Sequence, residues 1–300
     1  MSEHGFEGRV AVVTGAGRGI GRAHARLLAE RGARVVVNDL GGSMAGDGED
    51  AAPAAAVVAE ITAAGGVAIA DRSDVATVTG AEALVGAAVE QFGRLDILVN
   101  NAGIMRWAGF PEADAEHLAR HLDVHLAGSF NTARAAWPYM VGQQYGRIVM
   151  TTSSGVFGLP NNLAYAAAKG GVIGLTRSLK TAGAAHGIKI NAIAPAAFTR
   201  MAGAADDSPE PADMSSDLVA PMVAFLAHED CPVSGEIYTA GAGRFARIFI
   251  ASTEGYVHSA GEPTVEDVAQ HWAEINDEAG YTVPDDLLSW SAGFLSHRSG

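Results

Sequence analysis

The sequence predicts a three-layer α/β fold: a doubly wound, seven-stranded, mainly parallel sheet with helices on both faces. Three observations carry this expectation. Short β-branched runs alternate with longer helical patterns, the order that builds parallel sheets through right-handed crossovers. A glycine-rich turn, GAGRGIG (Gly15–Gly21), joins the first such run to the first helical pattern. The chain has 300 residues, 48% hydrophobic and only 18% charged, enough for one large core. With no internal repeat and no second-domain boundary, residues 1–300 read as a single domain. A lid over about 196–216 and an extension over about 244–300 complete that reading.

Composition also excludes function classes. A formal net charge of −14 gives nucleic-acid binding no electrostatic support. No apolar run approaches the roughly 18–20 residues that span a bilayer. The polar start MSEHGFEGR lacks the apolar centre of a signal peptide. The single cysteine, Cys231, allows no internal disulfide and suits a reducing compartment. The expectation is a soluble, cytoplasmic protein.

In chain order, RVAVVT (Arg9–Thr14) is a buried strand, followed by the glycine turn and a helix over Ile20–Arg31. ARVVVND (Ala33–Asp39) is the second strand and closes a βαβ unit. Glycines in that turn let backbone N–H groups approach a pyrophosphate at the positive end of the helix. Asp39, 18 residues after Gly21, is the acid expected at the end of the second strand. Its carboxylate can accept hydrogen bonds from both adenosine ribose hydroxyls and would repel a 2′-phosphate, so NAD is favoured over NADP. Arg18, in the turn, is the one group placed to serve a 2′-phosphate instead.

Gly41–Ala52 reads as a mobile Gly/Asp-rich loop. A helix over Pro53–Ala64, the strand GVAIADR (Gly66–Arg72) and a helix over Val78–Phe92 follow. LDILVNN (Leu95–Asn101) is a buried strand, and Asn100–Gly103 is a polar turn at the sheet's carboxyl edge, where ligands bind in such folds. A long helical stretch runs from Asp114 to Gln143, with Pro138 expected to kink or end a segment. It carries His117, His121 and His125 at i+4 spacings. That spacing suits a metal, but without an HExxH glutamate, partly buried or interface histidines are the better reading.

GRIVMTT (Gly146–Thr152) leads through Ser153-Ser154-Gly155 into a helix carrying Tyr165 and Lys169. Residues four apart share a helix face. An ammonium beside a phenol favours the phenolate and makes it a usable base. Alone, a YxxxK pair is more often a solvated helix face, so the surrounding motifs must supply a cofactor and a third group. KINAIAP (Lys189–Pro195) is the sixth strand and GEIYTAGA (Gly235–Ala242) the seventh. Ala196–Ser216 lacks periodicity and reads as an active-site lid or a disordered loop. A short helix over Asp217–Leu226, an amphipathic helix over Thr264–Ala279 and an irregular tail of twenty residues complete the chain.

Taken together, TGAGRGIG (Thr14–Gly21), Asp39, Asp74-Val75, NNAG (Asn100–Gly103), YAAAK (Tyr165–Lys169) and NAIAP (Asn191–Pro195) resemble the short-chain dehydrogenase/reductase family. NDLGG (Asn38–Gly42), VHLAGSFNTARAAW (Val124–Trp137), YGRIVMT, TAGAGRFARIFI (Thr239–Ile250) and PTVEDVAQHW (Pro263–Trp272) look like its (3R)-hydroxyacyl-CoA dehydrogenase subgroup, found in peroxisomal multifunctional enzymes and bacterial relatives. The resemblance implies a Rossmann-type domain, a nicotinamide cofactor, and hydride transfer between a secondary alcohol and a ketone. It implies Ser153, Tyr165 and Lys169 as catalytic residues, with Thr152 and Ser154 as alternative hydroxyls. Cofactor contacts carried over with it are Gly15, Arg18, Gly19, Ile20, Gly21, Asp39, Leu40, Asp74, Val75, Asn101, Ala102, Gly103, Tyr165, Lys169, Pro195 and Thr199. Most of the family has asparagine where His125 stands, so that position's part in proton transfer is open. The family also implies a homo-oligomer, tetramer or dimer. Two rival readings are an NADPH-dependent carbonyl reductase and a catalytically silent NAD-binding scaffold.

Overall fold

The computed structural model describes residues 4–199, 201, 211–259 and 261–299. They fall into two compact units, Met1–Arg247 and Ile248–Gly300. The first carries β1 (Val10–Thr14), α1 (Gly19–Glu30), β2 (Arg34–Asn38), α2 (Ala52–Ala63), β3 (Val67–Asp71), α3 (Val78–Phe92) and β4 (Ile97–Asn100). It continues with α4 (Ala115–His121), α5 (Gly128–Gln143), β5 (Gly146–Thr151), α6 (Leu163–Gly183), β6 (Ile188–Pro195), α7 (Ala220–Ala227) and β7 (Ile237–Gly241). β8 (Arg244–Ile248) closes the sheet.

The strand order is β3-β2-β1-β4-β5-β6-β7-β8, and β1 to β7 pair in parallel. β1, β4 and β5 are buried along their whole length, which is why their centres (VAVV, ILV and IVM) read as apolar runs without alternation. The order reverses between β1 and β4. Their carboxyl ends therefore flank a crevice, and the glycine turn after β1 and NNAG after β4 both open into it.

The sheet has eight strands where the sequence predicts seven. Only Ala242 and Gly243 separate β7 from β8, and both have positive φ, 50° and 73°. Two such residues make the hairpin turn whose twist matches antiparallel strands. The predicted long helix is continuous from α4 to α5 but switches to a π-helix over Leu122–Ala127, and α5 runs through Pro138. Within the expected lid, 3₁₀ turns form at Ala212–Met214 and Ser216–Leu218; residues 200 and 202–210 lie outside the described residues.

In the second unit the expected Thr264–Ala279 helix is two short pieces, α8 (Val265–Gln270) and α9 (Trp272–Ile275). A capping box between Thr264 and Asp267 starts α8. The tail is not irregular: α10 (Leu287–Phe294) begins on a second capping box, Asp286 with Ser289. None of this unit's described residues is buried.

Candidate active site

The site is a cavity of about 900 Å³ at the carboxyl edge of the sheet. Its walls are built from backbone upward. Gly15 (φ 61°) turns the chain out of β1 so tightly that a Cβ there would stand 2.8 Å from Ala102 Cα. Thr14 fixes this junction from below: its Oγ1 accepts from the N–H groups of Asn101 and Ala102, each at 3.0 Å. The Asn101 amide donates back to the carbonyls of Thr14 and Gly15, at 2.9 and 3.0 Å. The glycine turn and NNAG are therefore one interlocked unit.

Gly19 opens α1 at φ 49°, and nothing stands within 3.7 Å of where its Cβ would lie. The N-cap, Arg18, offers no side-chain cap, and the first turn of α1 holds no acid. Orphan N–H groups at an uncapped helix start facing a cavity suit a pyrophosphate, so the residues present fit a dinucleotide. Asp39 lines the same cavity. Its carboxylate accepts from Gly17 N–H and Gly41 N–H, both at 2.7 Å, which aims it without using all its lone pairs. Asn38, buried at the end of β2, donates to Asp71 (2.7 Å) and to the Ser73 carbonyl (2.9 Å), drawing the Ser73–Val75 segment to the cavity wall.

The chemical end lies on α6. Tyr165 and Lys169 both line the cavity. Lys169 is 3% exposed, and its ammonium donates to the Thr151 carbonyl at 2.7 Å and lies 5.6 Å from the Tyr165 ring centroid. Burial brings its pKa down to about 7. Burial also raises the Tyr165 phenol above its ordinary value, opposed by a hydrogen bond with Ser153.

Three hydroxyls compete for the third place, and their partners separate them. Thr152 is buried and donates to the Lys169 carbonyl at 2.9 Å, which turns it into α6 and off the cavity wall. Ser154 reaches the wall, but it is the Ser153 hydroxyl that pulls the pKa of the Tyr165 phenol down. Ser153 also accepts from Gly155 N–H at 3.0 Å, and Asn162 donates to the Gly155 carbonyl at 3.1 Å. The serine therefore sits on a braced 3₁₀ turn, Ser154–Phe157.

His125 packs its edge against Tyr165, ring centroids 5.2 Å apart. Its Nε2 lies 2.8 Å from the Ile104 carbonyl, and its buried Nδ1 has no partner. Burial, with the Lys169 charge adding to it, holds the imidazole well below its ordinary pKa, so the ring is neutral. His121 is likewise committed to backbone, accepting from Arg106 N–H at 3.3 Å and bonding the His117 carbonyl at 2.9 Å.

Every residue singled out from sequence for cofactor contact, and Ser153 with them, reaches this one cavity; Thr152 does not. Sequence reading missed Thr14, Asn38 and Asn162, whose roles are bracing bonds to distant backbone. It also missed the Gly41–Ala52 loop as a wall. That loop, expected to be mobile, is tied down: Gly42, Ser43, Met44 and Gly46 line the cavity, and Met105 N–H donates to the Met44 carbonyl at 2.9 Å. Trp107 and Leu159 add an apolar rim, 45% and 53% exposed. Among the described residues no helix is long and apolar enough to cross a membrane.

The short chain dehydrogenase family profile matches residues 9–210. A short-chain type dehydrogenase/reductase of Mycobacterium tuberculosis is 43% identical over 93% of this chain and 98% of its own length. Drosophila melanogaster peroxisomal multifunctional enzyme type 2 is 43% identical over 91% of this chain, which spans only 46% of that enzyme. The solved structure of that full-length enzyme superposes with a TM-score of 0.79 over 98% of this chain and 50% of its own, at 33% identity. A 7α-hydroxysteroid dehydrogenase solved with NADH and 7-oxo glycochenodeoxycholic acid gives a TM-score of 0.71 at 28% identity, covering 80% of this chain and 95% of its own.

Proposed function

The chain belongs to the short-chain dehydrogenase family and is an oxidoreductase of that family; from this premise we propose that it interconverts a hydrophobic secondary alcohol and its ketone with NAD. The observation that carries the proposal is the meeting of Ser153, Tyr165 and Lys169 on one cavity with an uncapped helix start and Asp39. In oxidation, the Tyr165 phenolate takes the substrate hydroxyl proton while Ser153 holds the same oxygen by a hydrogen bond. Lys169, one bond committed to Thr151, keeps two N–H donors for ribose hydroxyls and holds positive charge beside the phenolate. Bound NAD would supply the hydride acceptor, the chemistry no side chain offers. Gly15–Gly21 would hold its pyrophosphate and Asp39 its adenosine ribose; Asp74-Val75 would meet the adenine, and Pro195 with Thr199 the carboxamide.

NAD is preferred because Asp39 places a carboxylate where a 2′-phosphate would bring two more negative charges. The rim residues Trp107 and Leu159 favour an apolar substrate, a 3-hydroxyacyl group among the candidates. Exposed Phe130 and Tyr139 on α5 favour a homo-oligomer packed through that helix, and the lone buried Cys231 suits the cytoplasm. Tyr165→Phe tests the reading. The variant should bind NADH as the wild type does and lose about 10³-fold in turnover. Near-normal turnover would overturn it.

A further inference from the structure

The Gly41–Ala52 segment is the least expected wall of the cavity; Met105 N–H holds it at the Met44 carbonyl, and two arginine ion pairs meet on one of its carboxylates. Asp47 lies 3.2 Å from Arg106 Nη2 and 3.2 Å from Arg120 Nη2. The same guanidiniums also hold the segment's backbone: Arg106 Nε donates to the Ala45 carbonyl at 3.1 Å, and Arg120 Nη2 to the Gly46 carbonyl at 3.1 Å. Gly46 adopts φ 85°, and a Cβ there would stand 2.7 Å from Ile104 Cγ2, so the strap lies flat on the segment after β4. Its root is fastened by Asp39, which accepts from Gly41 N–H, and by Asp50 N–H, which donates to the Leu40 carbonyl at 3.0 Å.

Asp47 and Arg106 do not line the cavity, whereas Gly42, Ser43, Met44, Gly46 and Arg120 do. The carboxylate therefore acts on the cavity only through the strap and Arg120. One carboxylate against two guanidiniums is a fastening that opens when the charge is removed or screened. Asp47 is 59% exposed and the arginines 32% and 37% exposed, so salt reaches all three.

We propose that Asp47 is a positioning residue, an ionic latch on Arg106 and Arg120 that holds the Gly42–Asp47 strap against the dinucleotide site and sets how long the cofactor stays bound. The proposal rests on the reading of the cavity as a nicotinamide dinucleotide site. Opening the latch lets the strap swing from its root and uncovers the cavity between β2 and β4. Each exposed pair contributes modestly, so removing both together should change the release rate about three- to tenfold.

The test is stopped-flow fluorescence of NADH release from the full chain, wild type against Asp47→Asn and Asp47→Glu, at low and high salt. The expected result is about three- to tenfold faster release from Asp47→Asn, with Asp47→Glu near wild type. Raising salt should speed release from the wild type and leave Asp47→Asn unchanged. The Michaelis constant for NAD should rise while that for the alcohol holds. Equal release rates and equal salt dependence in wild type and Asp47→Asn overturn the latch. If the wild type binds no NADH, the cofactor reading fails by itself, and amide hydrogen exchange decides the latch. Faster exchange at Ser43–Asp47 and Met105 in Asp47→Asn supports it; unchanged exchange overturns it.

Discussion

Replacing Lys169 with methionine should stabilise the fold at mildly acid pH while removing turnover. The ammonium is buried, makes one hydrogen bond, to Thr151, and pairs with no carboxylate among the described residues. Burial lowers its pKa from 10.5 to about 7, and at about 1.4 kcal/mol per unit the folded state tolerates the charge at a cost approaching ~5 kcal/mol. Methionine removes that cost, gives up one hydrogen bond worth about 1–2 kcal/mol, and keeps most of the stem's packing. Relaxation of the wild-type site reduces the benefit further, so a net gain of about 1–3 kcal/mol is expected. For a chain of 300 residues that is about 2–5 °C in melting temperature. The sign depends on pH. Between about 7 and 10.5 the unfolded chain holds a proton the folded lysine has released, so wild-type stability rises with pH across that window. The variant has no such rise, and its advantage is largest below pH 7 and fades towards about pH 10. Thermal unfolding followed by circular dichroism at about pH 6 and about pH 9.5 measures this. A variant less stable than wild type by the same amount at both values would refute the reasoning.

Further outcomes follow from buried or bonded groups. Ser153→Ala should lower turnover about 10²-fold, Ser154→Ala should change it less than about threefold, and Thr152→Val should cost stability of about 1–2 kcal/mol, all read from steady-state rates and thermal melts. His24, on α1, is fully buried with both ring nitrogens unpartnered, and burial lowers its pKa to about 3. The unfolded chain binds the extra proton between about 6.5 and 3, so wild-type stability falls as pH drops through that window. Denaturant titrations of His24→Leu should show this acid loss reduced by about 2–5 kcal/mol.

Much of this molecule is legible in its sequence because the signals are local. β1 and β4 are buried on both faces and announce themselves by the apolar runs VAVV and ILV. The glycine turn and Tyr165–Lys169 lie at fixed short spacings, so their meeting on one cavity needs only the βαβ order to be right. What sequence reading misses is decided by partners far along the chain. The Gly41–Ala52 segment has the composition of a mobile loop, and it is held by arginines some sixty to seventy residues later. Thr152 and Ser153 are adjacent hydroxyls; the bond from Thr152 to the Lys169 carbonyl, 17 residues away, turns one from the cavity and leaves the other facing Tyr165. The π-helical turn at Leu122–Ala127 is a change of backbone register with no side-chain pattern to mark it. β8 carries little signal of its own: Ala242-Gly243 makes the hairpin turn, but RFARI after it does not alternate apolar with polar.

The central claim, that this chain is an NAD-dependent alcohol oxidoreductase, is tested most directly by nicotinamide absorbance with a panel of secondary alcohols spanning apolar chain lengths, each offered NAD and NADP in parallel. The account predicts reduced nicotinamide formed from NAD, faster with the more apolar alcohols, and at least about tenfold weaker use of NADP. No absorbance change with any alcohol, or a clear preference for NADP, would contradict it.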